Sequence, residues 1–136
     1  MAHNRKHSLP RLVITGVTGL LGCALVREAQ GRYEVWGIAR RPEAVSLPCA
    51  ICAVDLLDEG SVARAIETVA PDVVIHAAAL ASVNQCEADP SAAFAVNVEG
   101  ARHVLRALAG HPCRFILIST DSVFDGRRGN YGEADP

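Results

Sequence analysis

A β-branched, apolar run, Arg11-Leu12-Val13-Ile14, passes directly into Thr15-Gly16-Val17-Thr18-Gly19-Leu20-Leu21-Gly22. Glycines spaced by three between a strand and an amphipathic helix constrain a chain strongly, because each has a mechanical reason to lack a side chain. Gly16 lets the chain turn sharply out of the strand. Gly19 allows main-chain N–H groups to approach a pyrophosphate, whose charge the positive end of the following helix dipole favours. Gly22 lets that helix lie close against the sheet. The spacing predicts a helix from Leu20 to about Gln30, with Leu21, Leu25 and Val26 inward and Arg27 and Glu28 outward. A dinucleotide cradle made by Gly16, Thr18, Gly19, Leu20, Leu21 and Gly22 is therefore expected, against the plainer alternative of a strand-to-helix turn with no ligand.

Composition narrows the setting. With 136 residues, 50% hydrophobic and 21% charged, the chain has the make-up of one soluble globular domain, expected over residues 11–136 behind a flexible tail at 1–10. Its 13 basic and 15 acidic residues are scattered, so no face for nucleic acid is expected. No apolar stretch approaches the roughly 20 residues that cross a bilayer, and the start lacks the apolar segment of a secretory signal. No membrane association and a cytoplasmic location are expected. Five cysteines, Cys23, Cys49, Cys52, Cys86 and Cys113, read as reduced, small apolar side chains. Cys49 and Cys52 form a C-x-x-C, but residues three apart on a strand point to opposite faces, so no metal is expected there.

Further strands are expected at Tyr33–Ile38, Cys49–Val54, Val73–Ala77 and Phe115–Ser119. The segment 39–48 is too short and proline-marked for a crossover helix. Asp58 is placed to cap a helix over Glu59–Ala70 whose buried face is Val62, Ala65, Ile66 and Val69. A long helix is expected from about Pro90 to Ala109, carried by Phe94, Val98, Ala101, Leu105 and Leu108. Five apolar strands separated mostly by helices describe an α/β, Rossmann-type doubly wound parallel sheet, with right-handed crossovers giving the order 3-2-1-4-5. Ligands of such sheets bind beyond the carboxyl ends of the strands.

The strand ends therefore supply the candidates. Strand 2 ends in Ala39-Arg40-Arg41, without the acidic residue that usually accepts from the ribose hydroxyls of NAD. A guanidinium at Arg40 can instead pair with the 2′-phosphate of NADP, so NADP(H) is favoured over NAD(H); the alternative is a pair of solvated loop charges. Strand 3 ends in Asp55-Leu56, where the carboxylate either accepts from an adenine amino group or caps the next turn. Strand 4 ends in His76-Ala77-Ala78-Ala79, whose small side chains leave room for ribose and pyrophosphate, while His76 reads as a hydrogen-bonded structural residue. Strand 5 ends in Ser119-Thr120-Asp121-Ser122, a hydroxyl pair able to bond a substrate carbonyl.

Taken in order, T-G-x-x-G-x-x-G at 15–22, H-A-A-A at 76–79, N-V-E-G at 97–100, S-T-D-S-V-F-D-G at 119–126 and Y-G-E-A-D-P at 131–136 resemble the extended short-chain dehydrogenase/reductase superfamily. Within it, the chain most resembles the dTDP-4-dehydrorhamnose reductase branch of sugar-nucleotide enzymes, with Ser122 where the branch carries a tyrosine. The resemblance implies reduction of a 4-keto sugar nucleotide with NADPH, Thr120 and Ser119 holding the keto oxygen, and Asn97 near the cofactor. Asn97 reads equally well as a structural amide, and Gly100 as a close-packing point.

In the family a tyrosine phenol donates the proton, and a lysine four residues on lowers its pKa. Here Tyr33 begins a strand, Tyr131 is followed four positions later by Asp135, and the only lysine is Lys6. The expectation is an amino-terminal, cofactor-binding part truncated after strand 5, with no substrate domain and strand 5 left as an edge. Its partners would be small molecules, with a homodimer or a complementing carboxyl-terminal chain as further possibilities. A non-catalytic nucleotide-binding or regulatory module and an NAD-dependent epimerase or dehydratase are the alternatives.

Overall fold

The computed structural model describes residues 9–135, so most of the tail expected at 1–10, Lys6 included, lies outside the described residues. Five strands, β1 (Arg11–Thr15), β2 (Glu34–Ala39), β3 (Ala50–Ala53), β4 (Val73–His76) and β5 (Arg114–Leu117), form one sheet in the order β3-β2-β1-β4-β5. Every pairing is parallel, and β1 sits centrally, with Val13 opposite both Trp36 and Val74. This is the expected Rossmann-like topology.

Alternation along the strands sends side chains to two cores. Val13 and Val74 join Val62, Ala65, Ile66, Val69, Val104 and Leu108 beneath α2 (Glu59–Val69) and α5 (Gly100–Ala107). Leu12, Ile14 and Val35 join Val17, Val26 and Ala29 beneath α1 (Leu20–Glu28). Cys52 packs on the first core and Cys49 on the second, as their three-residue spacing requires.

Helix α2 forms as its pattern dictates. Asp58 accepts from the Ser61 N–H at the start, Ala70 ends the helix in the left-handed region, and Val62, Ala65, Ile66 and Val69 are buried. Each fully buried side chain of the size of Val62 or Ile66 contributes about 1.5–3 kcal/mol. In α1 the buried stripe is Gly22 and Val26, continued by Ala29, whereas Leu21 is 45% exposed. The predicted inward position of Leu21 is thus corrected: the helix is so close to the turn at Gly22 that the stripe centres on the glycine.

The expected helix from Pro90 is present as one continuous rod over residues 90–107, with one departure from its period. A short helix α3 (Val83–Ala88), capped by Ser82, precedes α4 (Pro90–Phe94), and a π-helical turn over Ala95–Glu99 separates α4 from α5. The wider turn rotates the helix face, so Phe94 and Leu105 are about half exposed while Gly100, Ala101, Val104 and Leu108 are buried. Between β2 and β3 the connection is irregular, with one 3₁₀ turn at Pro42–Ala44. β5 pairs only with β4 and forms the sheet edge, where Leu117 and neighbouring Ile118 are exposed.

Candidate functional site

The glycine turn is shaped by contacts across strands. Gly16 adopts φ +72°, and a Cβ there would stand 2.7 Å from the Ala78 Cα and 2.8 Å from the Ala78 N, so only glycine lets the turn pass the β4 exit. The Gly16 N–H donates to the Ile38 carbonyl at 3.0 Å, and the Gly19 N–H to the Gly16 carbonyl at 3.0 Å. A Cβ at Gly22 would collide with the Gly16 carbonyl oxygen and stand 2.7 Å from the Val17 Cα. The close approach predicted at Gly22 is therefore made onto the turn itself. At Gly19 a Cβ would meet only the Gly16 carbonyl oxygen, at 3.3 Å, which leaves the rest of its surroundings open. No side chain caps the start of α1 at Gly19. Its first-turn amides keep the partial positive charge of a helix start.

Behind the turn lies a buried polar bridge. The Thr15 hydroxyl accepts from the Ala78 N–H at 3.1 Å and is 3.0 Å from His76 Nδ1. The hydroxyl thus bridges the Ala78 amide and the imidazole ring. His76 is 2% exposed, and Nε2 has no partner among the described residues. Burial holds its pKa below the usual histidine range. The structural reading of His76 holds and becomes specific: the ring orients Thr15, which ties the exit of β4 to the end of β1.

These elements enclose a cleft of about 230 Å³ at the carboxyl ends of β1 to β4. Of the residues expected there, Gly16, Thr18, Gly19, Arg40, Asp55, Leu56, Ala77, Ala78 and Ala79 line it. Arg40 is exposed at its rim and forms no ion pair among the described residues. Asp55 Oδ1 accepts from the Leu57 N–H at 3.0 Å, so the turn-capping alternative is realised by one of its oxygens.

Other expected residues are elsewhere. Leu20 is 93% exposed and Leu21 is about half exposed, because a helix start presents its main chain rather than its side chains to such a cleft. Gly22 is buried against the turn. Asn97 pairs with the loop after β4: its Oδ1 accepts from the Leu80 N–H at 2.8 Å and its Nδ2 donates to the Leu80 carbonyl at 3.2 Å. Ser119 and Thr120 lie outside the cleft, and Thr120 caps the 3₁₀ turn Asp121–Val123 by accepting from the Ser122 N–H. Ile38, Ala39, Val54, Leu57 and Val96 also line the cleft. The first four continue the strand ends already singled out. Val96 is brought there by the π-helical turn, which no sequence periodicity announces.

Comparison with known proteins adds identity to this geometry. Residues 10–136 match the family model described as RmlD substrate binding domain. A dTDP-4-dehydrorhamnose reductase of Aggregatibacter actinomycetemcomitans is 36% identical over 130 residues, which cover 93% of this chain and 40% of that protein. A methionine adenosyltransferase 2 subunit beta of Danio rerio is 35% identical over 127 residues, covering 92% and 37%. Among solved structures, a hypothetical dTDP-4-dehydrorhamnose reductase from Sulfolobus tokodaii superposes with TM-score 0.85 at 36% identity, covering 93% of this chain and 45% of that one. The Bacillus anthracis dTDP-4-dehydrorhamnose reductase in complex with NADP gives 0.77 at 28% identity over 90% and 40%. Thermus thermophilus UDP-glucose 4-epimerase in complex with NAD gives 0.69 at 32% over 74% and 34%. The chain thus spans less than half the length of these proteins. No helix among the described residues is long and apolar enough to cross a membrane.

Proposed function

The chain belongs to the RmlD substrate binding domain family, and from that premise we propose that it is the nucleotide-binding part of a reductase that reduces a 4-keto sugar nucleotide with NADPH. The observation that carries this reading is the cleft itself. Its floor is the glycine turn, its rim carries Arg40, and its walls are Asp55-Leu56-Leu57 and the small residues Ala77-Ala78-Ala79. A dinucleotide fits these residues chemically. The absent side chain at Gly19 leaves the uncapped first-turn amides of α1 approachable, which suits a diphosphate. The carboxylate of Asp55 suits an exocyclic amino group, and the guanidinium of Arg40, with no carboxylate beside it in Ala39-Arg40-Arg41, suits a 2′-phosphate.

When bound, the reduced nicotinamide supplies the hydride. This chain's own residues bind and orient: the turn fixes the diphosphate, Asp55 the purine and Arg40 the phosphorylated ribose. Thr120 and Ser119 are assigned to the keto oxygen by family resemblance, and they reach it when the segment after β5 is brought to the cleft. The tyrosine–lysine pair implied by the resemblance has no counterpart in these 136 residues. In this reading, turnover uses such a pair supplied from outside these 136 residues.

Side-by-side calorimetric titration tests the binding claim. NADPH is expected to bind about tenfold tighter than NADH, a difference of about 1.4 kcal/mol. Substitution Arg40→Gln is expected to remove that difference while leaving NADH affinity unchanged. Failure of both nucleotides to bind, or tighter binding of NADH, overturns it. A second reading, a nucleotide-binding regulatory subunit without catalysis, draws support from the position of Ser119 and Thr120 outside the cleft and from the similarity to a methionine adenosyltransferase subunit. Turnover of a 4-keto sugar nucleotide after addition of the complementing segment decides against it.

A further inference from the structure

His103 lies on α5 outside the cleft, yet it touches the wall on which the proposed purine would rest. Its Nδ1 is 2.7 Å from the Leu56 carbonyl oxygen, so the ring donates a proton there. The same peptide unit, between Leu56 and Leu57, is held at its other end, because the Leu57 N–H donates to Asp55 Oδ1 at 3.0 Å. One plane is therefore clamped from both sides: by a histidine on a packed helix, and by the carboxylate expected to read the base.

The helix is well placed to hold that plane. A Cβ at Gly100 would stand 3.2 Å from the Leu56 Cβ, so α5 rides directly on Leu56. Arg106 reaches Glu59 at 3.3 Å, a second tie between α5 and the start of α2. Val96, one helical face earlier, lines the cleft itself. The π-helical turn over Ala95–Glu99, which contains Val96, sets which residues of the rod meet the β3 exit. Asp55 Oδ1 is committed to Leu57, and its Oδ2 has no hydrogen-bond partner among the described residues. A carboxylate held by one oxygen has its second oxygen fixed in direction, so little further ordering is needed when a donor arrives.

We propose that His103 is a positioning residue for base recognition: by holding the peptide between Leu56 and Leu57 it fixes the Asp55 carboxylate to accept from a 6-amino purine and so to select adenine over 6-oxo purines. This rests on the dinucleotide reading above. Adenine donates from its amino group to such an oxygen, whereas hypoxanthine presents a carbonyl there and is repelled.

Titration with NADPH and with its hypoxanthine analogue tests the idea on the intact chain. The unsubstituted protein is expected to favour the adenine form about tenfold, the scale of one hydrogen bond to a charged group. His103→Leu, which keeps bulk but removes the donor, is expected to bring the two forms within about twofold by weakening adenine binding alone. His103→Gln, which keeps a donor, is expected to restore most of the preference. If His103→Leu does not fold, His103→Phe gives the same comparison. Equal weakening of both nucleotides means a merely structural residue and overturns the assignment, as does an unchanged preference. Failure of the unsubstituted protein to bind either form instead overturns the nucleotide reading on which the assignment stands.

Discussion

The cradle around Gly16 and the segment that follows β5 both carry residues with site chemistry, yet they are held in opposite ways. In the cradle the fixing contacts join strands far apart in the chain: Thr15 to His76, Ala78 to Thr15, and the Gly16 turn against Ala78. After β5 the contacts are local. Thr120 bonds Asp121 and Ser122, Tyr131 donates to Asp125, Phe124 stacks on Tyr131 with ring centroids 4.5 Å apart, and Arg128 lies 5.2 Å from the Tyr131 ring centroid. Local bonds give that segment an internal shape, but they do not tie it to the cleft. The proposed nucleotide cleft is built on rigid, cross-braced elements, whereas the hydroxyls proposed for the substrate sit on a segment braced only by itself.

The contrast is tested most severely at Gly22. A Cβ there meets backbone, the Gly16 carbonyl and the Val17 Cα, and backbone in a packed turn cannot yield cheaply. Gly22→Ala is expected to cost about 3 kcal/mol or more, read as a lowered midpoint in urea unfolding. It should also abolish nucleotide binding by displacing α1 from the turn. A stable Gly22→Ala protein that still binds would mean that the turn is far softer than its contacts imply.

A smaller effect is expected from acid, and it too belongs to the cradle. His76 is buried with its pKa held below the ordinary value of 6.5 by loss of solvation. The unfolded chain therefore takes up this proton more readily than the folded one, and stability falls as pH drops below 6.5 towards the folded-state value. The carboxylates whose pKa is lowered, Asp58, Asp89 and Asp125, act in a different window. Hydrogen bonds from Ser61, Ala92 and Tyr131 respectively are the leading causes, and their stabilisation is complete above 3.8 and lost only as pH falls through the folded values. Urea midpoints between about pH 7.5 and 5 are thus expected to decline in the unsubstituted protein and to decline less in His76→Gln. An equal decline in both places the titration elsewhere.

Legibility in the sequence follows the same division. The sheet order, the face of α2 and most of the cleft lining can be read from strand ends and helical spacing, since Val62, Ala65, Ile66 and Val69 obey one period from cap to cap. The period fails where the backbone departs from it. A π-helical turn adds a residue between Phe94 and Gly100, turning Phe94 and Leu105 outward and Val96 into the cleft. Helix α3 escapes such reading because its six residues, none of them buried, show no apolar stripe; only its Ser82 cap marks it. Asn97 admits two roles on sequence alone, and its pairing with Leu80, seventeen residues away, is a tertiary fact that no local pattern contains. Ser119 and Thr120 are candidates from the end of strand 5 and from family resemblance, and among the described residues the Thr120 hydroxyl bonds only within its own turn.

The mildest expected effect completes the comparison. Thr120 is exposed, and among the described residues the hydrogen bonds of its hydroxyl reach only Asp121 and Ser122. Thr120→Val removes a turn-capping oxygen from a surface 3₁₀ turn and leaves every cross-strand contact intact, so a stability change below about 0.5 kcal/mol is expected. Nucleotide affinity should not change, because the cleft lining excludes this residue. A substitution at Thr120 that loosened nucleotide binding would mean that the segment after β5 reaches the cradle in solution, and the separation between a cross-braced site and a self-contained loop would no longer hold.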